Sequence, residues 1–309
     1  MLRRRRVLAA KIETTPGTAE ALTGAEAAFN VFNAVIQPTI EMEPREGQGG
    51  FSPLASVPGA RAGTCSFSTE VTAAATAPSW ASTFLPACGF VENSNVWTPI
   101  SRAPGGAGLP KTLTIATYID GVRKLLRGCM GNAVFRMTAG MKIMVDFTFT
   151  GIWGGDPTDV ALLTPTYPTL TPLRFANSGL TIGGYAAKVR ELSIDLGNQV
   201  ILREDASDES GYASALVTGR NVTGRIDPEL TTVATKDWHA EWLAMNEQAL
   251  ALEIISGTQL FSIDIPKVQF LNLQEENRND LTTEGIQFQC NRNAAAGDDD
   301  IAIEINEDT

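Results

Sequence analysis

The chain has 309 residues, 43 % of them hydrophobic and 19 % charged, which is the balance of a folded globular protein and excludes a disordered one. Its net charge of −11 excludes a sequence-reading DNA binder, which needs Lys and Arg to neutralise phosphates, but suits a surface that polyanions pass without being held. No apolar run reaches the roughly 18 residues that span a bilayer, and Lys11 and Glu13 cut the opening apolar stretch too short for a signal peptide.

The basic, turn-rich residues 1–24 read as an N-terminal arm. Apolar and polar residues alternate with strand period over Val35–Met42, and a Gly/Pro/Ser-rich loop follows from Glu43 to Gly59. Alternation returns over Thr64–Val71. Ser79 is a candidate cap for a short helix that puts Trp80, Phe84 and Leu85 on one face and stops at Gly89. Leu113–Ile119, the turn dipeptide Asp120-Gly121 and Val122–Arg127 make a hairpin, and strands around Asn132–Met137 and Met141–Thr150 close the region.

After a Thr/Pro linker the plan repeats. A strand over Lys188–Leu196 precedes a long polar loop, Ile201–Gly219. Arg220–Glu229 matches Arg61–Glu70 in position, and Trp238–Met245 matches the first helix. A hairpin crosses Gly257, and Val268–Leu273 and Thr283–Cys290 are the last strands. The order predicts a first domain over 25–155, a linker over 156–172, a second domain over 173–297 and a solvated acidic tail over 298–309.

Chemistry-bearing constellations are missing. The four cysteines, Cys65, Cys88, Cys129 and Cys290, have no metal-site spacing and read as free, buried thiols; His239 is the single histidine. Glu70 and Glu229 read as surface carboxylates, Trp80, Trp238 and Trp242 as core packing, and the pairs Gly105-Gly106 and Gly183-Gly184 lack the Lys-Ser/Thr of a phosphate loop. No enzyme, cofactor or metal site is expected.

Several strings resemble the tail tube (major tail) proteins of siphophages. They are Arg5–Thr18 (RRVLAAKIETTPGT), Ala77–Trp80, Leu85–Phe90, Tyr118–Gly121, Phe147–Gly151, Leu180–Ala187, Leu192–Val200 and Pro266–Gln269. The resemblance implies a mainly β fold of two tandem tube β-sandwich domains, each flanked by a short helix. It further implies a structural virion protein made in the bacterial host cytoplasm. Such a protein assembles with itself into homotrimeric, pseudo-hexameric rings that stack into the hollow tail through which DNA is ejected. Implied partners are a tape measure protein in the lumen and tail terminator and distal tail proteins at the ends, with DNA in transit and no membrane. A terminator or distal tail protein on the same fold, and a receptor- or carbohydrate-binding module, are the competing readings.

The two long loops are the candidate ring-to-ring contacts. Their residues are Glu43, Arg45 and Phe51 in the first and Arg203, Glu204, Asp205, Asp208, Glu209 and Tyr212 in the second. Arg3, Arg4, Arg5 and Arg6 are the cations to meet the acidic patch of an adjacent ring.

Overall fold

A computed structural model describes residues 5–76, 78–155 and 157–307. The protein is mainly β, with 52 % of residues in strands and 6 % in helix. The strands are β1 (Arg6–Ile12), β2 (Val31–Arg45), β3 (Leu54–Glu70), β4 (Phe90–Asn93), β5 (Val96–Pro99), β6 (Leu113–Ile119), β7 (Val122–Thr138), β8 (Met144–Trp153) and β9 (Thr158–Asp159). They continue with β10 (Thr181–Ile182), β11 (Glu191–Asp195), β12 (Gln199–Glu204), β13 (Tyr212–Gly219), β14 (Thr223–Ile226), β15 (Glu247–Ser256), β16 (Gln259–Arg278), β17 (Leu281–Cys290) and β18 (Ala302–Glu307). Helix α1 (Ser79–Phe84) stands between β3 and β4, and α2 (Trp238–Leu243) between β14 and β15.

All pairings are antiparallel, and their order occurs twice. The run β1-β6-β7-β8-β3-β2 is repeated as β10-β15-β16-β17-β14-β11. Tight turns fix the hairpins: Asp120 and Gly121 both have positive φ (45° and 104°), as the two central positions of a type I′ turn require, and Gly257 has φ 65°. The two runs join where β11 pairs with the far end of β7, Leu192 opposite Met137 and Ile194 opposite Phe135. The result is one sheet with the continuous stretch β2-β3-β8-β7-β11-β14-β17-β16.

One face of that stretch is apolar and closes the core. Phe67, Phe147 and Phe149 pack with Phe84 of α1 at ring-centroid distances of 4.9 to 5.9 Å. Trp238 of α2 packs on Phe270 and Tyr185 in the same way. The two runs share a single apolar cluster, across which Phe135 meets Phe261 at 6.3 Å. Trp80 and Trp238 are buried and Trp242 packs against the same cluster, so all three indoles serve the core. The four cysteines are free and buried; burial pushes the thiols of Cys65 and Cys290 up to about 12, which leaves them inert.

Four local expectations are corrected. The N-terminal segment is no arm from residue 6 onward. Leu8, Ala9 and Ala10 are core residues of β1, and the carboxylate of Glu13 is buried behind it, accepting hydrogen bonds from Gly17 and Gly128 amides and the Thr112 and Thr114 hydroxyls at 2.7 to 2.9 Å. The acidic tail is not solvated. Ile301, Ile303 and Ile305 are fully buried while β18 pairs with β16 and β5, because the alternating isoleucines outweigh the charges between them. The stretches 43–59 and 201–219 are two-stranded hairpins rather than loops, with tips at 46–53 and 205–211. Ser79 is the first residue of helix α1 rather than its cap; Pro78 stands at the cap position, with no side-chain hydrogen bond to the first turn.

Candidate assembly surfaces

Side chains alternate across a strand, so the face opposite the core is fixed by the apolar one. It carries Thr64, Ser66 and Ser68 from β3, Asp146, Thr148 and Thr150 from β8, and Asn132 and Arg136 from β7. The second run adds Ser193 and Asp195 from β11, Arg225 from β14, Gln287 and Gln289 from β17, and Gln274 and Glu276 from β16. Small hydroxyl and amide residues dominate, and the carboxylates outnumber the arginines. Asn132 donates to Asp195 at 2.6 Å and Ser68 to Asp146 at 2.5 Å, so the polar groups hold one another in place.

Several strands keep an edge with no neighbour among the described residues, and two of these edges belong to the continuous eight-strand stretch. One is the outer edge of β2, which pairs with β3 alone. A groove of about 710 Å³, lined by Arg6, Leu8 and Val31–Val35, runs beside it. The other belongs to the second half of β16. Its first half has β15 on one side and β18 on the other; its second half has β17 alone. The corresponding half of β7 has β8 on one side and β11 on the other. β16 therefore lacks the neighbour that β7 has.

The two hairpins have different fates. At Gly197, φ +63°, the second leaves the sheet, and β12–β13 folds over one end of β7 and β8 on the face opposite the core. Asn198 holds the bend by donating to the Cys88 and Gly131 carbonyls at 2.7 and 2.9 Å, and Ser214, Ala215, Met130 and Ile152 are buried. Its tip is tied to the first run. Asp208 takes a two-pronged hydrogen bond from Arg127 at 2.8 and 2.9 Å, Glu209 pairs with Arg61 at 2.7 Å, and the Tyr212 hydroxyl donates to Glu41 at 3.3 Å. The first hairpin stays paired as the continuation of β2 and β3, with register shifts at Ile40/Met42 and Glu43/Arg45, and Ile40, Met42, Phe51, Leu54 and Val57 are exposed along it, Phe51 completely.

The candidate contact residues separate accordingly. Glu43, Arg45 and Phe51 stand on the projecting hairpin, exposed. Arg203, Glu204 and Asp205 lie near the tip of the folded one, whereas Asp208 and Glu209 spend their charge on Arg127 and Arg61 inside the chain. Arg5 pairs with Asp120 at 2.7 Å and Arg6 donates to the Ala34 carbonyl. Arg3 and Arg4 lie outside the described residues. The unpaired edges were missed because period-2 patterning marks strands without saying which edge stays open.

No three His, Cys, Asp or Glu side chains group to hold a metal among the described residues, and no described helix is long and apolar enough to cross a membrane. A wide polar sheet face, open edges and a projecting hairpin define a structural β-protein. The chain belongs to the phage tail tube protein family, whose model matches residues 3–306. It is a structural component of the phage tail, and the family places it in the virion. No curated protein matches the chain in a sequence comparison.

Proposed function

We propose that the chain is the repeating unit of the tail tube wall, with three chains to a ring, each supplying two tube domains, one built on the β1-β6-β7-β8-β3-β2 run and the other on the β10-β15-β16-β17-β14-β11 run. The observation that carries this reading is the β7–β11 junction. In the repeated order β11 is the counterpart of β2 and β16 the counterpart of β7. The open edge of β2 in one chain therefore finds its match in the open half of β16 in the next, with the groove beside Val31–Val35 as the space for it. Edge addition of this kind satisfies the backbone groups that an isolated chain leaves to water. The contact is heterologous, so it closes when the rotation per chain divides a full turn.

Eight strands per chain give twenty-four per ring of three. The core lies on one side of this sheet, so the polar face lines the bore. Residues 43–59 project along the strand direction, past the edge of the ring, and contact the adjacent ring; the exposed acids near residues 204–205 are a second candidate contact for the Arg3–Arg6 run. The cargo is the DNA ejected into the host, a tape measure protein occupies the lumen during assembly, and terminator and distal tail proteins finish the ends. Assembly takes place in the host cytoplasm.

Electron microscopy of the purified full-length chain tests this. Long hollow tubes are expected. Rings that never stack would transfer the chain to the terminator or distal role, and particles that stay monomeric at high concentration would overturn the wall reading.

A further inference from the structure

The polar face carries three arginines, Arg136, Arg225 and Arg278, and each is held by a carboxylate on another segment. Arg136 Nε lies 2.7 Å from Asp146 Oδ2, on the adjacent strand β8. Arg278 contacts Asp227 at 3.1 Å and Glu229 at 2.8 Å. Arg225, on β14, is paired with Glu276, on β16, although β17 lies between them.

That last pair depends on a missing side chain. Glu276 reaches Arg225 by lying across β17 at Gly285, where an added Cβ would stand 2.6 Å from Glu276 Oε1. In the repeated pairing order Glu276 takes the place of Arg136, and Gly285 that of Asp146. The same spot on the face thus holds an Arg–Asp pair in the first run and a charge-reversed Glu–Arg pair in the second. Arg136 and Arg225 also line one shallow hollow of about 400 Å³. Two free guanidinium groups on one hollow would make a phosphate site; the carboxylates occupy that role.

We infer that these pairs are cation locks, which keep the face from gripping the phosphates of a double-stranded nucleic acid passing over it. The inference rests on the reading of this face as the wall of the bore. Each arginine set free would gain a phosphate contact with counterion release, and repetition along a stacked tube would multiply a small gain into friction. The two pairs at Arg136 and Arg225 are open to solvent and add little to stability, so their use is in the charge they cancel.

The test uses the unassembled full-length chain, whose polar face is open to solution, and a labelled 20-base-pair duplex followed by fluorescence anisotropy at low salt. Asp146→Asn with Glu276→Gln frees two arginines. Glu204→Gln with Asp205→Asn changes net charge by the same two units at the tip of the folded hairpin. The first double variant is expected to bind the duplex at least about tenfold more tightly than the second, with a salt slope near −2, about −0.9 per phosphate contacted. Removing the arginines as well, with Arg136→Gln and Arg225→Gln, returns binding to the wild-type level. Gly285→Ala changes no charge and displaces Glu276, so it gives a smaller gain in the same direction. Equal binding by the two double variants would overturn the locks, as would tight binding that survives loss of both arginines. Tube formation is scored separately by microscopy, so a wild-type chain that builds no tubes counts against the wall reading, while duplex affinity judges the locks.

Discussion

The two hairpins start from the same place in the repeated strand order and end differently. β12–β13 bends at Gly197, covers Met130 and Ile152, and ties its tip to Arg127 and Arg61. β2–β3 continues in the sheet strands themselves, and the apolar residues Ile40, Met42, Phe51, Leu54 and Val57 stay in water. A two-stranded ribbon is marginal alone, so the second has found its support inside the chain. The first leaves Phe51 fully exposed at its tip, the surface that the proposed wall assembly would offer to another copy. The repeated strand order thus provides two equivalent segments, one of which packs within the chain while the other is the one we propose for assembly.

The largest effect is expected at the bend. A Cβ at Gly197 would lie 2.0 Å from the Asn221 carbonyl oxygen, and φ +63° disfavours a branched side chain. Gly197→Val is expected to cost about 3 kcal/mol, read as a lowered denaturation midpoint. An unchanged midpoint would mean that the folded hairpin contributes nothing to stability.

A smaller effect belongs to the tip. The Ser210 hydroxyl and amide, with the Arg127 guanidinium, hold the Asp208 carboxyl down to about 2. Its pKa is lower folded than unfolded, so the stabilisation is present above the ordinary carboxylate range and lost as pH falls from about 4 through 2. The side chain is 26 % exposed, and solvent screening limits the contribution to about 1 kcal/mol. Asp208→Asn should remove that amount at neutral pH and flatten the acid limb of the stability curve. An acid limb identical to wild type would contradict this role.

The smallest effect on stability, and the largest on assembly, is expected on the projecting hairpin. Met42→Ser with Phe51→Ser touches only exposed positions and should change stability by less than about 0.5 kcal/mol. Rings should still close through β2 and β16, but stacking should fail in electron micrographs. Tubes of normal length from this variant would remove the hairpin from the ring-to-ring contact.

Much of this was legible in the sequence. Asp120-Gly121, Gly257 and the two Trp-containing helices fixed the repeated order, because turn chemistry and helical spacing are local. β1 was hidden because it opens on the last of four consecutive arginines and its partner β6 lies about a hundred residues away. In β18 the alternation of Ile301, Ile303 and Ile305 was present, yet the surrounding acids made the segment resemble a solvated tail. The acidic run Glu204–Glu209 likewise masked a hairpin, since the cations that balance it, Arg61 and Arg127, belong to a distant part of the chain. Of the assembly surfaces, the projecting tip was visible as a long Gly/Pro-rich stretch. The open edges and the arginine locks depend on which strands become neighbours, and no single strand carries that information.

In the proposed wall, three duplicated chains close a ring through the open edges of β2 and β16. Native mass measurement of isolated rings, combined with their end-on image, tests it most directly. Three chain masses with six lobes are predicted; six chain masses, or a ring of three lobes, would contradict it.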